Sequence, residues 1–174
     1  MIKNKNYNYK EIFSLKNKKI IILGGSGNLG KNFSKSLTSA GAKIILGDLK
    51  KTNLGNKINY KYCDVSKKKS LESFFNTTVK KEKKINTLIY NVYSKPKNYY
   101  KKFENYDDTT WEDVLETNLT GAYRASKIMI NHFKKNKING NIILILSTYG
   151  IVGPDLSIYK NKTVVPSKKN LCCL

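Results

Sequence analysis

The stretch from Lys19 to Gly30, KIIILGGSGNLG, constrains this chain more than any other. Ile20 to Leu23 form an unbroken apolar run, and a strand without alternation is one covered on both faces, as in a parallel sheet flanked by helices. Glycines follow at 24, 25, 27 and 30; Leu29, Phe33, Leu37 and Ala40 then fall at helical spacing, with Gly41 where a helix would stop. Strand, glycine turn and helix in that order suit a dinucleotide. Glycine allows a sharp turn and close approach to a pyrophosphate, and the free N–H groups of a helix start favour its negative charge. A plain turn is the alternative, so the remainder of the chain has to decide.

A second strand, Lys43 to Gly47, ends on Asp48, about 20 residues past the glycine turn, where a carboxylate can accept from adenosine ribose hydroxyls. The same carboxylate would repel a 2′-phosphate, so NAD is expected over NADP, although Lys50 and Lys51 lie close by. A cap or turn role is the structural alternative for Asp48. Tyr60 to Cys63 reads as a third strand closing on Asp64 and Val65, and Leu71, Phe74, Phe75, Thr78 and Val79 mark an amphipathic helix. Thr87 to Tyr90 reads as a fourth strand ending at Asn91, and the aromatic, lysine-rich run from Ser94 to Tyr106 as a loop reaching over something. One long helix from Thr110 to residue 135 is predicted by Trp111, Val114, Leu115, Leu119, Ala122, Tyr123, Ser126, Ile130 and Phe133. A fifth strand, Asn141 to Leu146, ends on Ser147. Alternating strands and helices imply an α/β fold with a doubly wound parallel sheet and a ligand at the carboxyl ends of its strands. Asp48, Asp64, Asn91 and Ser147 all stand at such ends.

The formal charge of +21 raises the question of a nucleic-acid partner. Arg124 is the only arginine, however, and the lysines are scattered along the chain with an excess of Asn, Ile and Tyr. Arginine is the side chain suited to bidentate phosphate and guanine recognition, so the composition reads as a solvated lysine surface, and specific nucleic-acid binding is not expected. Cys63, Cys172 and Cys173 offer neither a disulfide framework nor metal-ligand spacing. No apolar run is long enough to span a bilayer and the start carries no secretory pattern, so the expected address is the cytoplasm, with no metal and no membrane partner.

From residue 14 to residue 158 the sequence resembles the short-chain dehydrogenases/reductases. The family's Thr-Gly-x-x-x-Gly-x-Gly turn stands here as Leu23-Gly24-Gly25-Ser26-Gly27-Asn28-Leu29-Gly30, with Asn28 in the place of the middle glycine. The resemblance implies a Rossmann-type fold and a cofactor held by Gly24, Ser26, Asn28, Leu29, Gly30 and Asp48, with Asp64 and Val65 against the adenine. Tyr90-Asn91-Val92-Tyr93 stands where the family carries Asn-Asn-Ala-Gly, which makes Asn91 the residue steadying the sheet beside the cofactor. Asn118, in Glu116-Thr117-Asn118-Leu119-Thr120-Gly121, resembles the helix asparagine that holds a water in the proton relay, and Ser147 resembles the serine that hydrogen-bonds the reacting oxygen. The Tyr-Ser-Lys-Pro loop, Lys101 to Glu104 and Tyr149 to Asp155 are similar to a bacterial subgroup linked with flagellin and surface-polysaccharide modification. The implied activity is NAD(P)-dependent interconversion of a hydroxyl and a carbonyl on a small, sugar-derived substrate, by an enzyme that is homo-oligomeric at full length.

The family's Tyr-x-x-x-Lys pair has no counterpart. Tyr159 is followed four residues later by Thr163; Lys162 lies three along, but Thr163, Val164, Val165 and Pro166 oppose a helix there. The expectation is therefore an incomplete enzyme of about five strands lacking its C-terminal strands, with a flexible segment over 1–13, a partial nucleotide-binding domain over 14–158 and an unrelated tail over 159–174. A non-catalytic nucleotide-binding remnant is the alternative function.

Overall fold

A computed structural model describes residues 9–55, 58–99, 101 and 105–152; Tyr159, Lys162 and the cysteine pair of the tail lie outside them. In chain order the elements are α1 (Tyr9–Ile12), β1 (Lys19–Leu23), α2 (Asn28–Ser39), β2 (Lys43–Asp48), β3 (Ile58–Tyr62), α3 (Lys68–Glu82), β4 (Thr87–Tyr90), α4 (Asp108–Leu115), a π-helical turn (Glu116–Thr120), α5 (Gly121–Asn136) and β5 (Asn141–Leu144). The five strands form one sheet in the order β3-β2-β1-β4-β5, and every pairing is parallel. This is the incomplete Rossmann-type α/β sheet read from the sequence. Because β1 sits between β2 and β4, the chain winds one way to β3 and the other way to β5, which leaves a crevice beyond the carboxyl ends of β1 and β4.

Apolar runs in β1 and β2 serve both faces of the sheet. Ile21, Leu23 and Ile45 pack with Leu71, Phe74 and Phe75 of α3 and with Ala122, Ala125 and Met129 of α5. Ile20, Ile22 and Ile44 face the other way, where Phe33 and Leu37 of α2 cover them together with Leu15. Burying four such side chains of β1 stabilises the fold by roughly 1.5–3 kcal/mol apiece, before entropy is subtracted. Before β1, Leu15 packs against the sheet, whereas Ile12 and Phe13 are exposed.

Four expectations need correction. Leu29, in the first turn of α2, does not join the stripe of Phe33 and Leu37 but is 56% exposed. β3 starts at Ile58, which pairs with Ile44, and Cys63 follows the strand. The long helix is broken by the π-helical turn, after which the buried positions are Ala122, Ala125, Met129 and His132, while Leu119, Tyr123 and Ile130 are exposed. An i→i+5 turn takes up more residues than an α-turn, so it rotates the helix past the stripe that uniform periodicity predicts. β5 ends at Leu144, two residues short of the expected Leu146; at the sheet's outer side it presents Ile143 and Leu144 to solvent, and Leu146 beyond it is 81% exposed.

Candidate functional site

The glycine turn is shaped by contacts that leave no room for a side chain. Gly24 takes φ +75°, and a Cβ on it would lie 2.4 Å from the Asn91 carbonyl oxygen; its N–H donates to Gly47 O at 2.9 Å. Gly30 sits in the first turn of α2, where a Cβ would lie 2.4 Å from Gly24 O. Gly27 is the N-cap residue at φ −72° and ψ 173°, and no side chain caps the helix. The leading N–H groups of α2 therefore lack the partner that a Ser or Asp cap would give. Asn28 is the first helical residue and takes a negative φ, so the substitution for glycine costs no backbone strain.

Asp48, the last residue of β2, clasps this turn from the side. Its Oδ2 accepts from Ser26 N–H at 2.9 Å and its Oδ1 from Lys50 N–H at 3.2 Å, while Ser26 Oγ–H donates to Lys50 O at 2.6 Å. A carboxylate offers about four acceptor positions; two N–H bonds leave capacity for a ligand hydroxyl. The turn role and the ligand role of Asp48 are compatible. On the far side of β1, Asn91 N–H donates to Leu23 O at 2.9 Å and Asn91 Nδ2 to Gly24 O at 3.0 Å, so β4 fixes the first carbonyl of the turn. Asp64, past β3, accepts from Ser66 N–H at 3.0 Å and Ser66 Oγ–H at 2.7 Å.

These groups surround one crevice of about 730 Å³. Gly24, Ser26, Asn28 and Leu29 line it from the turn, Asp48 from β2, Asp64 and Val65 from beyond β3, and Asn91 from β4. Gly30 is buried beneath them. The crevice is also lined by Tyr93, Ser94 and Pro96 of the Tyr-Ser-Lys-Pro loop after β4, with Asp113 and Thr117; the sequence signalled a covering loop there, but gave none of these residues a site role. Tyr93 is held there by Tyr99, with their hydroxyls 2.6 Å apart and the rings edge-to-face. Asn118 and Ser147 are not among the lining residues: Asn118 Oδ1, in the π-helical turn, accepts from Ser94 N–H at 2.9 Å, and Ser147 is exposed where the chain leaves β5. Burial pushes the Cys63 thiol up to about 12, helped by Asp64 and Asp48, which disfavours the thiolate near neutral pH.

Only glycine fits the turn at Gly24 and Gly30, the helix start that follows is uncapped, and a carboxylate with spare acceptor capacity stands beside it. The model of the short chain dehydrogenase family matches residues 18–160. The chain belongs to this family. It is 28% identical over 167 residues to the post-translational flagellin modification protein A of Campylobacter coli, covering 88% of this chain and 64% of that one. Against the L-fucose dehydrogenase of Bos taurus the identity is 23% over 143 residues, covering 78% and 51%. Among solved structures, the short chain dehydrogenase of Leptospira borgpetersenii with bound NAD+ superposes with a TM-score of 0.78 at 23% identity, covering 87% of this chain and 59% of that one. The chain thus spans between 51% and 64% of the length of these curated relatives.

Proposed function

We propose that this chain carries the nucleotide-binding half of a short-chain dehydrogenase that interconverts a hydroxyl and a carbonyl with NAD. The observation that supports this most is the Gly24, Asp48 and Asn91 constellation around an uncapped helix start. In this reading the pyrophosphate lies over the first turn of α2, between Ser26 and Leu29, where Gly24 and Gly30 keep the backbone compact. Asp48 accepts from the adenosine ribose and, being anionic, disfavours a 2′-phosphate; Asp64 and Val65 border the adenine. Asn91 keeps Gly24 O in place. When bound, the nicotinamide supplies two-electron redox chemistry. Ser147 is assigned to hydrogen-bond the reacting oxygen and Asn118 to hold a relay water, a sugar-derived substrate being the class suggested by the likeness to the fucose enzyme and the flagellin-modifying relative.

A second reading, a nucleotide-binding remnant without catalysis, is favoured by Tyr159 being followed four residues later by Thr163 and not by lysine. Titration with NADH, followed by energy transfer from Trp111, addresses the binding shared by both readings. Asp48→Ala is expected to weaken NADH about tenfold, the scale of a lost charge-assisted hydrogen bond, and to narrow the preference over NADPH. Unchanged affinity would remove the ribose contact. Turnover of sugar alcohols with NAD separates the two readings, since the remnant gives none.

A further inference from the structure

The opposite end of the sheet carries a second cavity, of about 610 Å³, formed where β1 and β2 begin and α3 ends. Lys18, Lys19, Lys43, Lys81, Lys83 and Lys84 are six of its nine lining residues, whereas lysine and arginine together make up 33 of the 174 residues of the chain. Scatter does not produce that density from three separate segments. The catalytic-side crevice, by contrast, is lined by Asp48, Asp64 and Asp113 against one lysine, Lys50.

Parallel pairing sets Lys19 directly beside Lys43, an arrangement that repels. The repulsion is met by one buried carboxylate: Glu82, 3% exposed, takes Lys19 Nζ at 3.0 Å and Lys43 Nζ at 2.9 Å, both on Oε2. Its Oε1 is buried without a hydrogen-bond partner. The site already holds one anionic group, supplied by the protein, and four further lysines line it with no second carboxylate paired to them among the described residues. Immediately after Glu82 the chain is forced into an unusual shape, with Lys83 at φ 56° and ψ −57° and Lys84 N–H donating to Glu82 O at 2.6 Å. That tight turn keeps Lys83 and Lys84 at the rim instead of letting α3 carry them away.

We propose that this cavity binds a compact, multiply phosphorylated anion, at a site distinct from the crevice. Six lysines against one glutamate among the lining residues, two of them already on that glutamate, favour two or more phosphate groups over a single one, because each added negative charge relieves repulsion among the lysines. The volume suits a small molecule. Lysine, as a mobile point charge, fits oligophosphate chains without requiring a fixed bidentate geometry.

Isothermal titration with inorganic tripolyphosphate at 0.1 M salt tests this. Saturable one-to-one binding is expected, weakened about tenfold by Lys18→Gln, Lys81→Gln and Lys84→Gln combined, a sum of three exposed charge contacts. Combined Lys134→Gln, Lys135→Gln and Lys137→Gln, an equal change of charge at the same end of the sheet, should leave affinity within about threefold. The arginine versions of the first three should retain binding. Equal losses in both glutamine variants would reduce the effect to net charge, and no loss in the first would place the anion elsewhere, the crevice included; either overturns the proposal. Amide protection of β1 and β2 in each variant shows that the fold is intact, and NADH titration of the first variant, expected unchanged, keeps this result separate from that for the crevice.

Discussion

Gly24, Gly27 and Gly30 occupy one turn yet carry unequal demands. Gly30→Ala would set a methyl 2.4 Å from Gly24 O, where both partners are backbone, whereas the nearest atom to a methyl on Gly27 is 3.8 Å away. Gly30→Ala is expected to cost about 2–3 kcal/mol in urea unfolding, in line with overpacking a rigid site, and Gly27→Ala less than about 0.5 kcal/mol because its φ suits any residue. The glycine spacing was plain in the sequence, but this ranking was not, since it depends on how closely β4 and α2 approach Gly24. Glu82 is a second residue the sequence concealed, looking like one more charge at the lysine-rich end of α3. Burial alone would raise its pKa; the bonds from Lys43 and Lys19 outweigh that and hold it below the usual carboxylate range. A depressed folded pKa means stability that is present above the unfolded value and lost as pH falls through the folded one. Glu82→Gln should therefore cost about 2–3 kcal/mol at pH 7, less than for a fully buried pair because Lys43 can turn to water. The gap between wild type and Glu82→Gln, followed by urea unfolding from pH 7 down to pH 2, should begin to narrow as pH falls below the ordinary glutamate value of about 4.3 and vanish only below the depressed folded one.

At the scale of elements, continuous apolar runs made β1, β2 and β4 legible, and α2 and α3 followed from their spacing. β3 was placed less well, because Ile58, Asn59 and Tyr60 show no run and the strand is recognised by its pairing with β2. The π-helical turn was not legible at all. A tether for it lies 27 positions away, where Tyr90, 3% exposed at the end of β4, donates its hydroxyl to Thr117 O and lies where a Cβ on Gly121 would fall. Together with Asn118 Oδ1 accepting from Ser94 N–H, this ties the turn to β4 and to the crevice wall at two points. Tyr90→Phe keeps the ring but leaves Thr117 O without that donor, at an expected cost of about 1–2 kcal/mol. Faster amide exchange confined to residues 116–121 would show that the phenol holds the turn; faster exchange throughout β4 would show that it serves the core instead.

The whole molecule is divided electrostatically across its sheet, with carboxylates around the crevice and lysines around the opposite cavity. The formal charge of +21 is what remains after every carboxylate is counted, and ion pairs among the described residues include exposed ones stretched to 4.0 Å, as for Lys68–Glu72 and Lys101–Asp107. Compaction brings like charges together, so net repulsion opposes folding. Salt screens that repulsion over a length of about 8 Å at 0.15 M, while the buried Glu82 pairs, inside the protein, are screened much less. Repulsion is thus weakened more than attraction, and added salt should stabilise. Raising sodium chloride from about 0.01 M to 0.15 M is expected to lift Tm by about 3 °C, equivalent to about 1 kcal/mol for a chain of this size. Circular dichroism melts across that range would measure it; a falling Tm would mean that specific ion pairs, not net charge, dominate the electrostatics of the fold.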